Sequence, residues 1–156
     1  MIVFIDSGVL GLLTNPKKQG KPAQCEDWLY SLLAKGVYVV SSDICDYEVR
    51  RSLLLESVNK NSFYSLNNLD ELRNVIDFLS LETEVIFQAS QIWMETRKSG
   101  RKTADNYSID IDIIILAHWY LLRKQYPSRY LVIATTNIKH FEEFAEALNW
   151  EDINLS

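Results

Sequence analysis

The chain has 156 residues, 47% of them hydrophobic and 24% charged, with a formal net charge of −5. That length suits one domain, residues 1–156, with a core of ordinary size, and the acidic balance argues against a broad basic surface for nucleic acid. Its apolar runs are too short to span a bilayer and no secretory leader is visible, so no membrane contact and a cytoplasmic location are expected.

Ile2-Val3-Phe4-Ile5 is an unbroken run of β-branched and aromatic side chains, which predicts a strand buried on both faces. Asp6 stands at its carboxyl end, and Ser7-Gly8 leads into the apolar helix Val9-Leu10-Gly11-Leu12-Leu13. In parallel α/β sheets ligands gather beyond the carboxyl ends of the strands, where strand order reverses. Asp6 is therefore a candidate site residue, and capping of the following helix is its other reading. Residues 15–22 form a loop by their Asn, Gly and Pro content; its Lys17, Lys18 and Lys21 are either solvated or a phosphate-steering patch. A helix over 23–35 carries Trp28, Leu29, Leu32 and Leu33 as a packing stripe, and Gly36 stops it before a second strand over 37–40. Cys25 and Cys45 have no CxxC spacing, so reduced thiols are expected rather than a zinc site or disulfide. Ser42 or Asp43 caps a helix over 44–55 that turns Ile44, Tyr47, Leu54 and Leu55 inward. Glu48 rides on this helix near the edge that holds Asp6; the plainer reading is a solvated glutamate favoured by the helix dipole.

Past a polar break at 59–62, Asn67-Asn68 predicts the start of a helix through Phe78, with Leu69, Leu72, Val75, Ile76 and Leu79 as its apolar set. Leu81-Glu82-Thr83 is a turn or strand fragment, and 84–98 is another helix with Val85, Ala89, Ile92 and Trp93 on one side. Its end and the next loop hold Arg97, Lys98, Arg101 and Lys102, the densest positive run in the chain. Cations suit a helix C-terminus in any case, and they also suit an RNA backbone. Asp105, Asp110 and Asp112 then fall within a short polar segment ahead of the apolar Ile113-Ile114-Ile115-Leu116-Ala117. Residues two apart do not share a helix face. Asp110 and Asp112 converge only with Asp110 in the loop or at the cap and Asp112 inside the first turn, where the helix N-terminus favours a carboxylate. Capping accounts for one of the three aspartates and not for the others. His118 reads as a packed core histidine. The strand over 130–134 ends in the polar Thr135-Thr136-Asn137, a short helix begins at Ile138, and 150–155 predicts a final edge strand. This alternation of strands and helices predicts a parallel sheet with helices on both sides.

With a first strand ending in Asp6, a helix bearing Glu48, the run from Asp112 to Ala117, and Ala134-Thr135-Thr136-Asn137-Ile138-Lys139-His140-Phe141, in this order, the chain resembles the PIN-domain proteins. Among these it is most similar to the VapC-type toxin ribonucleases of bacterial type II toxin–antitoxin pairs. The resemblance implies a three-layer α/β/α PIN-like fold around a central, mostly parallel sheet. It also implies a metal-dependent endoribonuclease acting on structured RNA, often a homodimer, neutralised by an antitoxin peptide laid across the site. The fourth acidic position of the family falls at Asn137, and His140 stands where many relatives carry an acid. Either Asp110 makes up the missing charge or Asn137 orients a water, which leaves the number of ions open.

The chemistry explains the carboxylates. Phosphodiester hydrolysis needs an activated water and a clamp on the developing charge, and Mg²⁺ or Mn²⁺ supplies both. The resemblance implies Asp6 and Asp112 as direct ligands, Glu48 as a ligand through water or as the base, and Asp110 as a further ligand. Ser7, Thr135, Thr136 and Asn137 are supporting hydrogen-bonders, and Arg97, Lys98, Arg101 and Lys102 the RNA contacts. A haloacid-dehalogenase-type phosphatase needs a second Asp where Gly8 stands, and a dinucleotide-binding domain needs a glycine-rich turn that Ser7-Gly8-Val9 does not supply. A catalytically silent PIN-like module that only binds RNA or protein is the remaining alternative.

Overall fold

Ile2–Ile5 (β1), Tyr38–Ser42 (β2), Asp77–Leu79 (β3), Leu131–Thr135 (β4) and Ala147–Asn149 (β5) form one sheet in the order β3-β2-β1-β4-β5 in the computed structural model, which describes residues 1–100 and 110–154. All four pairings are parallel. β1 is central because none of its four residues is exposed: a strand without a polar face needs a neighbour on each edge and a helical layer on each side. Ile2 lies opposite Tyr38 on one side and Leu131 on the other, so β1, β2 and β4 end at the same edge. The Ser41 hydroxyl donates to the Ile5 carbonyl there at 2.9 Å.

Ser7–Thr14 (α1), Lys21–Ala34 (α2), Asp43–Lys60 (α3) and Tyr64–Leu72 (α4) make the connections from β1 to β2 and from β2 to β3, while Thr83–Lys98 (α5) and Ile111–Gln125 (α6) carry the chain back to β4. α1 packs against α2, α3 and α4, and α5 packs on α6. Right-handed crossovers running outward to β3 and then back to β4 put these two groups on opposite faces. The result is the expected α/β/α arrangement, with Phe4, Leu10, Leu32, Ile115, Ile133 and Phe141 fully buried between the layers. The Trp28 indole donates to the Ile153 carbonyl at 3.0 Å and meets Trp150 edge-on, which fastens the C-terminal segment to α2.

Three expectations need correction. The helix placed over 67–78 begins earlier, at Tyr64, and ends at Leu72; Asp77-Phe78-Leu79 is instead the edge strand β3, with Asp77 opposite Val40. The Asn68 amide does not cap its own helix; it donates across to the Thr14 carbonyl at the end of α1 at 3.1 Å, holding α4 on α1. The final edge strand lies at Ala147–Asn149 rather than over 150–155, where a 3-10 turn buries Trp150. Lastly, α3 runs on to Lys60 and buries Ile44, Cys45 and Val49, leaving Tyr47, Leu54 and Leu55 exposed. Asn61 ends it in the left-handed conformation (φ 47°), which a short polar side chain tolerates better than most. Among the described residues no helix is long and apolar enough to cross a membrane.

Candidate functional site

Strand order reverses on either side of β1, and the side chains at the carboxyl edge there converge on one cleft. Asp6 caps α1 and also lines the cleft. Its Oδ1 accepts from the Val9 amide at 2.9 Å, capping α1, while its Oδ2 accepts from the Thr135 hydroxyl at the end of β4 at 2.5 Å. Only 7% exposed, Asp6 is pushed up to about 6 by burial and further by the Asp112 charge, against the bonds from Thr135 and Val9. Among the described residues no cation pairs with this carboxyl. Gly8 makes the approach of α1 to β4 possible, since a Cβ there would collide with the Thr136 hydroxyl. The Ser7 hydroxyl is buried and makes no hydrogen bond of ordinary geometry among the described residues.

The paired aspartates take the positions their spacing required. Asp110 is the N-cap of α6, its side chain accepting from the Ile113 amide at 3.2 Å, and Asp112 sits in the first turn. Burial raises the Asp112 pKa, the charges of Asp110 and Glu48 raise it further, and His140 opposes them. His140 Nδ1 lies 3.1 Å from Asp112 Oδ2, and its Nε2 lies 2.7 Å from the Asn137 amide nitrogen. The Asn137 backbone N–H donates to Thr135 Oγ1 at 2.9 Å, and that hydroxyl donates to Asp6. Asp6 and Asp112, more than a hundred residues apart in sequence, are thus the two ends of one hydrogen-bonded chain.

Glu48 reaches the same cleft from α3, its side chain about one-third exposed and 3.9 Å from the Arg51 guanidinium. The cleft measures about 650 Å³ and holds Asp6, Glu48, Asp110 and Asp112 together with Ser7, Thr136, Asn137 and His140. Thr135 stands behind it, fully buried against Asp6. Arg97 and Lys98 close α5 and do not line the cleft; Arg97 lies over the Trp93 ring at 5.0 Å. Arg101, Lys102 and Asp105 lie outside the described residues. Lys18 pairs with Glu26 at 3.0 Å and Lys21 with Glu151 at 3.3 Å, while Lys17 borders an adjoining depression with Lys60. Two cleft residues escaped the sequence reading as functional groups. Arg51 is the one lysine or arginine among the described cleft residues, and its only signal is a position three residues after Glu48. His140 stands out in sequence solely through the resemblance.

Among the described residues no three His, Cys, Asp or Glu side chains stand close enough to hold a metal ion by themselves. The donor set nonetheless suits a hard cation that keeps most of its water, because Mg²⁺ asks a protein for only one or two carboxylates. Asp6 and Asp112 both have raised proton affinity with a neighbouring negative charge among its causes, which is the state a cation relieves.

No family sequence model matches the chain, and no curated protein matches it in sequence. Its structural neighbours are nonetheless consistent. VapBC2 from Rickettsia felis bound to a promoter DNA fragment superposes with a TM-score of 0.70 at 19% identity, over 96% of this chain and 99% of that one. VapBC-1 from nontypeable Haemophilus influenzae gives 0.64 at 16% identity, over 97% and 100%. DNA-bound VapBC from Salmonella typhimurium gives 0.63 at 17% identity, over 96% and 98%. Full-length coverage of both partners and the same parallel sheet flanked by helices lead to one conclusion: this chain has the PIN-like fold found in the VapBC structures.

Proposed function

We propose that this chain is a Mg²⁺- or Mn²⁺-dependent endoribonuclease, the cytoplasmic toxin of a type II toxin–antitoxin pair. The observation that carries the reading is the convergence of Asp6, Glu48, Asp110 and Asp112 on one cleft at the sheet's reversal point. In this reading Asp6 and Asp112 hold the ion directly, with Asp110 beside them and Glu48 either contacting it through water or taking the proton of the attacking water. The bound cation would supply a nucleophilic water at neutral pH and a Lewis acid for the phosphate oxygens. The protein's own share is to place the scissile phosphate. The exposed Thr136 hydroxyl can donate to its oxygens, with the buried Ser7 hydroxyl behind the cleft, and Arg51 at the cleft wall offers a guanidinium that matches phosphate geometry. Arg97, Lys98, Arg101 and Lys102 would contact more distant backbone phosphates. The VapBC neighbours support an antitoxin partner for this chain, and the family resemblance supports a homodimer.

The test is incubation of the protein with total RNA in Mn²⁺ and in EDTA, alongside Asp6→Asn and Asp112→Asn. Cleavage is expected only with the ion, and each variant should lose about a hundredfold or more, at or beyond the upper end of the effect of outer-sphere residues. Cleavage in EDTA, or a variant as fast as the parent, would overturn the reading. RNA retained without cleavage would favour the silent binding module.

A further inference from the structure

We propose, resting on the cation site just described, that His140 is a positioning residue. Its Nδ1–H holds one oxygen of Asp112, the Asn137 amide fixes the ring, and the carboxylate presents its other oxygen to a single divalent ion. The contacts leave few alternatives. Asn137 Nδ2 lies 2.7 Å from His140 Nε2, so that nitrogen accepts, and the ring proton of the neutral imidazole sits on Nδ1, 3.1 Å from Asp112 Oδ2. Turning the Asn137 amide over would make Nε2 the donor and leave a neutral ring with a lone pair facing a carboxylate. Only the first arrangement satisfies both neighbours of the neutral ring.

The ring is held from its other sides as well. His140 closes the 3-10 turn Ile138–His140, and its ring meets that of the buried Phe141 edge-on, with centroids 6.2 Å apart. The turn is tied to β4 because the Asn137 amide donates to Thr135 Oγ1, which commits the Thr135 hydroxyl proton to Asp6. One bracket therefore sets the orientation of both proposed ligands. Without it, Asp112 would stand in the first turn of α6 beside the charges of Asp110 and Glu48, free to swing either oxygen away. Outer-sphere partners of this kind commonly govern metal affinity by 10–100-fold.

Asn and Gln at position 140 separate the two ring nitrogens. His140→Asn places an amide N–H where Nδ1 was, and His140→Gln places it where Nε2 was. Calorimetric titration of the EDTA-stripped full chain with Mn²⁺ should give one ion for the parent, an affinity for His140→Asn close to the parent's, and one about tenfold weaker for His140→Gln. In the metal-free parent, long-range ¹⁵N–¹H spectra should show the His140 proton on Nδ1. Equal affinities for parent and His140→Gln, an Asn variant as weak as the Gln variant, or a proton on Nε2 alone would each overturn the positioning role. A parent that binds no Mn²⁺ would instead remove the cation site itself, and the proposed function with it.

Discussion

Asp112 illustrates how a residue's roles can be told apart by substitution. Asp110 is the cap and Asp112 stands in the first turn of α6, where a carboxylate gains about 0.3–1 kcal/mol from the helix dipole, so Asp112→Asn should destabilise the metal-free protein by about that much if the side chain only serves α6. Burial and the charges of Asp110 and Glu48 already disfavour the ionised carboxylate, and functional sites commonly carry such a stability cost. The Asn variant should therefore melt above the parent in EDTA. It should also lose most of the stabilisation that excess Mn²⁺ gives the parent, about 2.7 kcal/mol when free ion is roughly a hundredfold above its dissociation constant. Four melting curves check this; equal Mn²⁺ shifts for both proteins would mean that Asp112 is not a ligand. Asp6 and Asp112 were legible because one follows a strand and the other opens a helix, positions that sequence patterns mark; Glu48, in the second turn of α3, was singled out only by riding on the helix that follows the second strand. The bond between His140 and Asp112 was not legible, because no local pattern encodes a contact made only by folding.

At the scale of elements, what fixes Glu48 is the clamping of α3 two residues earlier. Asp46 accepts from Arg50 at 2.6 and 3.0 Å and from Arg73 at 3.0 Å, and Arg73 also donates to Asp43 at 2.7 Å while lying over the Phe78 ring. Burial pushes the Asp46 pKa up, but the two guanidiniums outweigh it and hold the carboxyl below its ordinary value. This network joins α3 to the end of α4 and to β3. Asp46→Ala removes a buried acceptor of three charged hydrogen bonds, while Arg50 and Arg73 stay partly exposed and keep Asp70 and Asp43, and should destabilise the protein by about 1–3 kcal/mol in urea unfolding. Asp70→Ala, which removes a partner of Arg50 whose side chain is 61% exposed, should cost about 1 kcal/mol or less. Comparable losses would show that Asp46 contributes no more than a surface pair. The same region explains the misread element: Leu69, Leu72, Ile76 and Leu79 keep a helical spacing straight through a helix end and into a three-residue strand. A parallel edge strand that short shows no alternation, and its pairing with β2 comes from tertiary contacts.

For the whole molecule, acid stability carries opposed contributions from buried groups, among them His118 and Asp6. His118 is 3% exposed, lies roughly parallel to the Phe4 ring at 6.1 Å between centroids, and its Nε2 has no hydrogen-bond partner among the described residues. Burial pushes its pKa down to about 4, opposed by the Asp43 charge; Asp77, Glu82 and Glu84 line the cavity it borders. The unfolded chain binds a proton at His118 near pH 6.5 and the folded protein only near 4, so stability is lost as pH falls between those values. Asp6, raised to about 6 from 3.8, works the other way: its contribution is complete below 3.8 and disappears as pH rises through 6. The two oppose each other in the metal-free parent, with Asp112, also raised, acting in the same direction as Asp6, so His118 is best isolated by comparing the parent with a variant that lacks it. His118→Phe keeps a ring against Phe4 and removes both the titration and the unpartnered nitrogen. It should be more stable than the parent at pH 6.5, and its advantage should widen by on the order of 2 kcal/mol by pH 4.5, since each pH unit inside the window is worth about 1.4 kcal/mol. Every other titrating group is common to both proteins and drops out of the difference. Urea unfolding of both at pH 6.5, 5.5 and 4.5 in EDTA provides the measurement. A constant gap would mean that His118 takes up its proton as readily in the folded protein as in the unfolded chain, and the buried neutral imidazole would have to be given up.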